Sequence, residues 1–217
     1  ENAKFDGYNR LPVKISGVFA SSNRLDTRYY AFMYDIRGGG QISENANRKL
    51  DFHFRGPDRR GNPILGMNDE YNMSFRTPKT EIYLGDHNFS LSDLTESSRI
   101  GRGARFQYNM NKFSVGSFYH TPRYYPGIKS TLSVYTNYKL NENFRFSSGI
   151  LSKTDTMSNT ANLFTLSGTM RPFSWFNSAF EVAMGMYNNH TTKAYSGVVN
   201  INSRFFSSHL NAKYADP

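Results

Sequence analysis

The sequence predicts an all-β fold, an antiparallel transmembrane β-barrel with about 12 to 14 strands, either complete or part of a larger barrel. Three observations carry this. Apolar and polar residues alternate with period two for about ten residues at a time. Turn signals recur about 30 residues apart in the second half, the spacing of a spanning hairpin. No apolar run approaches the ~18 residues that a spanning helix needs. A barrel strand meets lipid only at every second residue, so one face can be greasy while the average stays soluble-like.

Composition bounds the alternatives. The 217 residues are 38% hydrophobic and 16% aromatic, with 18 Phe and 15 Tyr, which is the material of an ordered chain and not of a disordered one. There is no cysteine, so a disulfide framework and thiolate metal sites are excluded. The formal charge of +9 raises nucleic acid as a partner, but the 26 Lys and Arg are scattered, with no cluster beyond Arg59-Arg60, and no nucleic-acid partner is expected. The chain begins with Glu and no leader precedes it, so it is expected to be processed or cut from something longer.

Strands are expected to begin near residues 12, 28, 48, 69, 80, 99, 113, 129, 143, 161, 175, 194 and 205. In the first half Tyr30, Phe32, Tyr34 and Ile36 alternate with Ala31, Met33, Asp35 and Arg37. Leu50, Phe52 and Phe54 alternate with Lys49, Asp51, His53 and Arg55, and Tyr71, Met73 and Phe75 with Asn72, Ser74 and Arg76. Gly38-Gly39-Gly40 and Gly56-Pro57-Asp58 are expected to be connections. In the second half Leu132, Val134, Thr136, Tyr138 and Leu140 oppose Ser133, Tyr135, Asn137 and Lys139. The same rhythm runs through Phe144 to Ile150, Phe176 to Met186, Tyr195 to Ile201 and Phe206 to Tyr214.

Short turns are expected at Met110-Asn111, Glu142, Pro172-Phe173 and Ser203. Longer polar connections are expected at Thr121 to Gly127, Lys153 to Asn159 and Asn188 to Thr192, the short-and-long asymmetry of an outer-membrane barrel. Tyr119, Tyr124, Tyr125, Tyr187 and Tyr195 near the long connections, and Phe144, Phe173, Trp175, Phe205 and Phe206 near the short ones, read as two interfacial girdles. An odd count of about 13 strands does not close a bacterial barrel, which points to a barrel segment or to one strand miscounted. The whole of 1–217 is taken as a single barrel domain or barrel segment.

One stretch carries a resemblance. Leu84-Gly85-Asp86, then Ser92-Asp93-Leu94-Thr95-Glu96-Ser97, then Arg102-Gly103-Ala104, resembles the start of the barrel in fimbrial ushers and, in general texture, the usher-like barrels of Bacteroidetes. The matching positions are Leu84, Gly85, Asp86, Asp93, Leu94, Ser97, Arg102 and Gly103. The resemblance implies a wide outer-membrane pore through which secreted protein subunits pass, with other outer-membrane components as partners. Beyond Met110 the chain turns directly into another hairpin, where an usher carries its plug domain. Protein-translocation barrels of the type 9 secretion system share the same texture.

Catalysis is not expected. The histidines are His53, His87, His120, His190 and His209, and only His87 has a carboxylate neighbour, Asp86, which faces the other way on a strand. Asn68-Asp69-Glu70 lacks calcium-loop spacing, and Gly38-Gly39-Gly40 lacks the Lys-Ser/Thr of a phosphate loop. No metal and no cofactor is expected. The polar faces hold the candidate functional residues, expected to face the lumen: Lys49, Asp51, His53, Arg55, Arg76, Arg105, Lys139, Arg145 and Glu181. Their balance is basic, which favours anions or acidic segments, or they pair across strands and keep the lumen wet. The expected task is transport or protein secretion through a polar lumen in contact with outer-membrane lipid. A structural barrel subunit of a larger complex and a soluble β-sandwich binding module stay open.

Overall fold

The computed structural model describes residues 10–24, 27–43, 47–56, 68–187 and 190–216. The expectations at Pro57-Asp58, Arg59-Arg60 and Asn188-Asn189 lie outside them. Thirteen strands form one antiparallel sheet in which spatial order equals chain order. They are β1 (Val13–Arg24), β2 (Thr27–Gln41), β3 (Lys49–Arg55), β4 (Glu70–Arg76), β5 (Thr80–Phe89), β6 (Arg99–Asn109), β7 (Phe113–Pro122), β8 (Ile128–Lys139), β9 (Phe144–Asp155), β10 (Thr160–Phe173), β11 (Phe176–Tyr187), β12 (His190–Asn202) and β13 (Ser207–Ala215). Every expected strand is present. The chain divides into two compact units, residues 1–87 and 88–217.

In the second unit β6 to β12 are 10 to 14 residues long. At ~3.3 Å per residue and a tilt of ~40°, such strands reach ~25–35 Å along a membrane normal, the height of a hydrocarbon core. Register then fixes the faces, because a one-residue slip would send every side chain to the wrong side. Ser117, Val134, Ile150, Phe164 and Met184 lie in one cross-strand row, and Val115, Thr136, Ser148, Leu166, Val182 and Tyr195 in the next. Val134 is 52% and Ile150 57% exposed, and Phe164, Leu166, Val182 and Met184 are also exposed. Leaving these six half-covered in water would forfeit on the order of 5–10 kcal/mol, comparable to the whole stability of a domain. Against lipid nothing is lost. The hydroxyls in these rows satisfy one another where they meet, Thr136 with Ser148 at 3.1 Å.

Toward the hairpin ends the same face turns aromatic. Phe113, Tyr138, Phe146 and Phe180 share a row with Gly168, which stands between Phe146 and Phe180. The Phe180 and Phe146 rings fill the space where a Gly168 Cβ would stand. Phe173 and Trp175 stack at 5.2 Å beside the adjacent turn. Tyr119, Tyr124, Tyr125 and Tyr187 are exposed at the other end, while Tyr195, expected in the same girdle, is exposed further down, level with Val182.

Two expectations need correction. Gly38-Gly39-Gly40 lies inside β2, not in a connection. The glycines are there because the Phe52 ring, the Asp51 carboxylate and the Arg10 carbonyl press on Gly38, Gly39 and Gly40 respectively, leaving no room for a Cβ. The long connections are also shorter than their polarity implies. β9 continues to Asp155 and β12 begins at His190, so polar residues counted as loop belong to strands whose ends stand in water.

Candidate functional site

The polar faces are where the chemistry sits, and each unit builds its own. In the first unit register stacks Asp35, Arg55 and Glu70 in one row, and Arg37, His53 and Asn72 in the next. Arg37 forks onto the Asp35 carboxylate at 2.6 and 2.7 Å, and the His53 ring contacts Asp35 at 3.0 Å and Glu70 at 3.5 Å. Arg55 donates to Glu70 at 2.9 Å. Asp51 is held between Lys49 and Arg76, each at 3.1 Å. The charges expected on this face are thus brought together as a lattice in which each sign neutralises the other.

The second unit replaces charge with small polar groups. Asn109, Ser114, Asn137, Ser147, Ser167, Glu181, Ser196 and Lys213 occupy a single row across eight strands. Part of that row opens into a cleft of about 470 Å³, whose rim carries Lys112, Lys139 and Arg145. Lys139 is tied to Glu142 of the adjoining turn at 2.5 Å. A smaller recess of about 180 Å³ adjoins it at Arg105, Gln107, Tyr135 and Thr165. There Arg105 donates to the Tyr135 hydroxyl at 3.0 Å and to Gln107 at 2.9 Å.

The polar face is not open along its whole length. Residues 90–98, between β5 and β6, fold down onto it. Ser92 and Thr95 hydroxyls meet at 2.6 Å, and Leu91 N–H donates to Glu96 O, so the segment closes on itself. Asn88 donates to the Ser98 hydroxyl across its neck. Leu91 packs on a dry patch of Phe89, Phe118, Tyr135 and Leu151, with Leu163 beside it. Leu94 N–H donates to the buried Glu181 carboxylate at 3.0 Å. Lys153 reaches from β9 to Thr95 O at 2.6 Å and to Glu96 at 2.7 Å, and Arg99 pairs with the other Glu96 oxygen.

Glu96 is 1% exposed, and Arg99 and Lys153 are its counter-charges there. Beside it His120 is 0% exposed, stacked parallel on the Phe89 ring at 4.5 Å. Neither ring nitrogen of His120, nor the hydroxyl of its cross-strand neighbour Thr131, has a hydrogen-bond partner among the described residues.

The segment contains much of the usher-like stretch, and the structure gives those residues local tasks. Gly85 has φ +90°, and the ladder with β4 stops there. Its missing Cβ lets the Tyr71 carbonyl approach, while the Asp86 carboxylate accepts Tyr71 N–H at 2.8 Å. Leu84 is exposed on the opposite face, and Asp93 and Ser97 point to solvent. Arg102 is exposed among Ile100, Ala104 and Phe106. Gly103 lies against Tyr119 O and His120, closer than any Cβ allows.

Sequence reasoning missed Glu96, Arg99, His120 and Lys153 as a group. A signal was present. Phe118, Leu151 and Leu163 are apolar at positions whose parity is polar, in one cross-strand row over β7, β9 and β10 that Ser133 of β8 interrupts. Three such reversals in one row mark a dry spot on a wet face, which something must cover.

No family model matches the sequence, and no curated protein does. Solved structures do. The outer membrane protein OpdK from Pseudomonas aeruginosa aligns with TM-score 0.51 at 10% identity, over 94% of this chain and 65% of that one. An anion-selective porin from Comamonas acidovorans aligns with TM-score 0.45 at 9% identity, over 94% and 88%. A loop-deleted OmpT of Vibrio cholerae aligns with TM-score 0.40 at 7% identity, over 95% and 94%. The chain therefore spans about two thirds of the length of OpdK, and the fold is that of an outer-membrane β-barrel. That fold and the exposed apolar face together place the chain in the outer membrane.

Proposed function

We propose that the chain forms the wall, or part of the wall, of a non-enzymatic outer-membrane channel of porin type that passes small hydrophilic solutes and favours anions. One observation carries the reading: the row from Asn109 to Ser196 places hydroxyl, amide and carboxylate groups on one face of every strand from β6 to β12, behind strands whose other face is greasy. Such a wall encloses water, and small side chains leave it room. Arg105, Lys139 and Arg145 face that water, and Glu181 stands on the same face beneath residues 90–98; Lys49, Asp51, His53, Arg55 and Arg76 stand on the first unit's own polar face, which we read as wetted in the same way. The rim of Lys112, Lys139 and Arg145 supplies the preference, because fixed positive charge raises the local concentration of anions. The partners are outer-membrane lipid and the solutes themselves, and the chemistry calls for no cofactor. Passage of protein subunits, as in ushers, is a poorer fit, because residues 90–98 lie across the polar face.

The test is conductance of the full-length protein in planar lipid bilayers under a salt gradient. Discrete channels with an anion-favouring reversal potential are expected. Lys112→Gln with Arg145→Gln moves that potential toward cations. Arg55→Ala and Arg105→Ala move it less, since Arg55 is partnered by Glu70 and Arg105 by Tyr135 and Gln107. Absence of channels overturns the function. Reversal potentials indifferent to all these variants overturn the anion preference alone.

A further inference from the structure

We propose that residues 90–98 form a proton-operated latch: acidification charges His120, the Glu96 pairing with Arg99 and Lys153 no longer holds the segment, and it swings off the polar face.

The geometry supplies both states. In the latched state the segment is its own compact unit, clasped at the neck by Asn88 and Ser98 and closed internally between Ser92 and Glu96. Its attachment to the strands rests on few groups: Leu91 in the dry patch, Leu94 N–H on Glu181, Lys153 on Thr95 O and Glu96, and Arg99 on Glu96. A unit closed on itself and tied down at four points detaches without unravelling.

The trigger is the orphaned imidazole. Each element packed around His120 contributes a defined neighbour. The segment offers Glu96, β6 offers Arg99 and the close-lying Gly101 and Gly103, β8 offers Thr131, and β9 offers Lys153. The charged set is two cations and one carboxylate, so it already carries one net positive charge around a neutral ring. A proton on His120 adds a second, on a fully buried ring with no acceptor among the described residues that Arg99 and Lys153 have not taken. Release of the segment hydrates the ring and both cations at once. The released state therefore binds the proton more tightly than the latched one. Latching is complete at neutral and higher pH and is lost as pH falls through and below the range where imidazoles titrate, about 6.5.

Two readouts on the full-length protein in lipid nanodiscs and bilayers test this. The first does not need a channel: hydrogen exchange of the 90–98 backbone, corrected for the intrinsic effect of pH. On going from pH 7.5 to 5 the Leu94 amide is expected to exchange about tenfold faster, the mark of a shifted two-state equilibrium. His120→Phe fills the same space without a proton site and abolishes the acid response. Where that variant fails to fold, His120→Gln serves in its place. Glu96→Gln is fast at both pH values. The second readout is conductance, which rests on the channel reading and rises at low pH in step with exchange. Exchange that is independent of pH in the wild type, or a pH response that survives loss of the imidazole, overturns the latch. Absence of conductance alongside pH-dependent exchange overturns the channel and leaves the latch standing.

Discussion

The two polar faces solve the problem of charge on a sheet in opposite ways. On β2–β4 carboxylates and cations alternate in adjacent rows, and every pair is at least partly open to solvent. On β6–β11 the wall is mostly hydroxyl and amide, and two carboxylates at its contact with the segment 90–98, Glu181 of the wall and Glu96 of the segment, are withdrawn from water and paired across that contact. Exposed pairs are individually weak, because water competes for both partners. A buried pair adds little by its presence and costs heavily when broken, since the survivor is left charged without solvent. The first face is therefore expected to tolerate change and the second to respond sharply.

The largest effect tests that contrast at its strongest point. Lys153→Met removes one of the two cations on Glu96 and is expected to destabilise the protein by about 3–5 kcal/mol, read as a shift in urea unfolding from lipid vesicles. Adding Glu96→Gln to it is expected to recover a good part of the loss, because the orphaned charge is then gone. A loss below about 1 kcal/mol for Lys153→Met would show the site to be wet, and the contrast between the faces would fail.

The same contrast explains how much was legible in sequence. Alternation located the strands because lipid on one side and water on the other impose a period of two on every residue between. It failed at Gly38-Gly39-Gly40, where the requirement is close approach by Phe52, Asp51 and Arg10 and not a turn. The candidate site was half legible. Residues of the charged face, Lys49 to Arg55 and Arg76, announce themselves by parity. Ser92-Asp93-Leu94-Thr95-Glu96-Ser97 has the composition of a solvated loop, and its burial depends on Lys153, 57 residues after Glu96, and on Glu181, 87 residues after Leu94. Such pairings are set by tertiary register, which no local pattern encodes.

A second, smaller effect separates apolar docking from ionic docking within the same face. Leu151 is 0% exposed among Phe89, Phe118 and Tyr135, under Leu91. Leu151→Ala is expected to cost about 2–4 kcal/mol by leaving a cavity. It also speeds exchange in 90–98 while leaving the pH response intact, because His120 and Glu96 are untouched. Loss of the pH response with this variant would merge the two contributions into one.

The smallest effect belongs to exposed charge, and Glu142 shows it in the second unit itself. In the turn between β8 and β9, the hydrogen bond and charge of Lys139 hold the Glu142 carboxyl below the usual carboxylate range. A carboxyl depressed in the folded state contributes stability above its unfolded value and loses it as pH falls through the folded one. Glu142→Gln is therefore expected to be slightly less stable than the wild type at pH 7 and equal to it once the pH falls below the folded value. Molar salt is expected to erase the difference at pH 7 as well. The measurement is the difference in unfolding midpoint at the two pH values. A difference as large as that of Lys153→Met, or one that persists in molar salt, would mean that exposure does not set the strength of ion pairs in this protein.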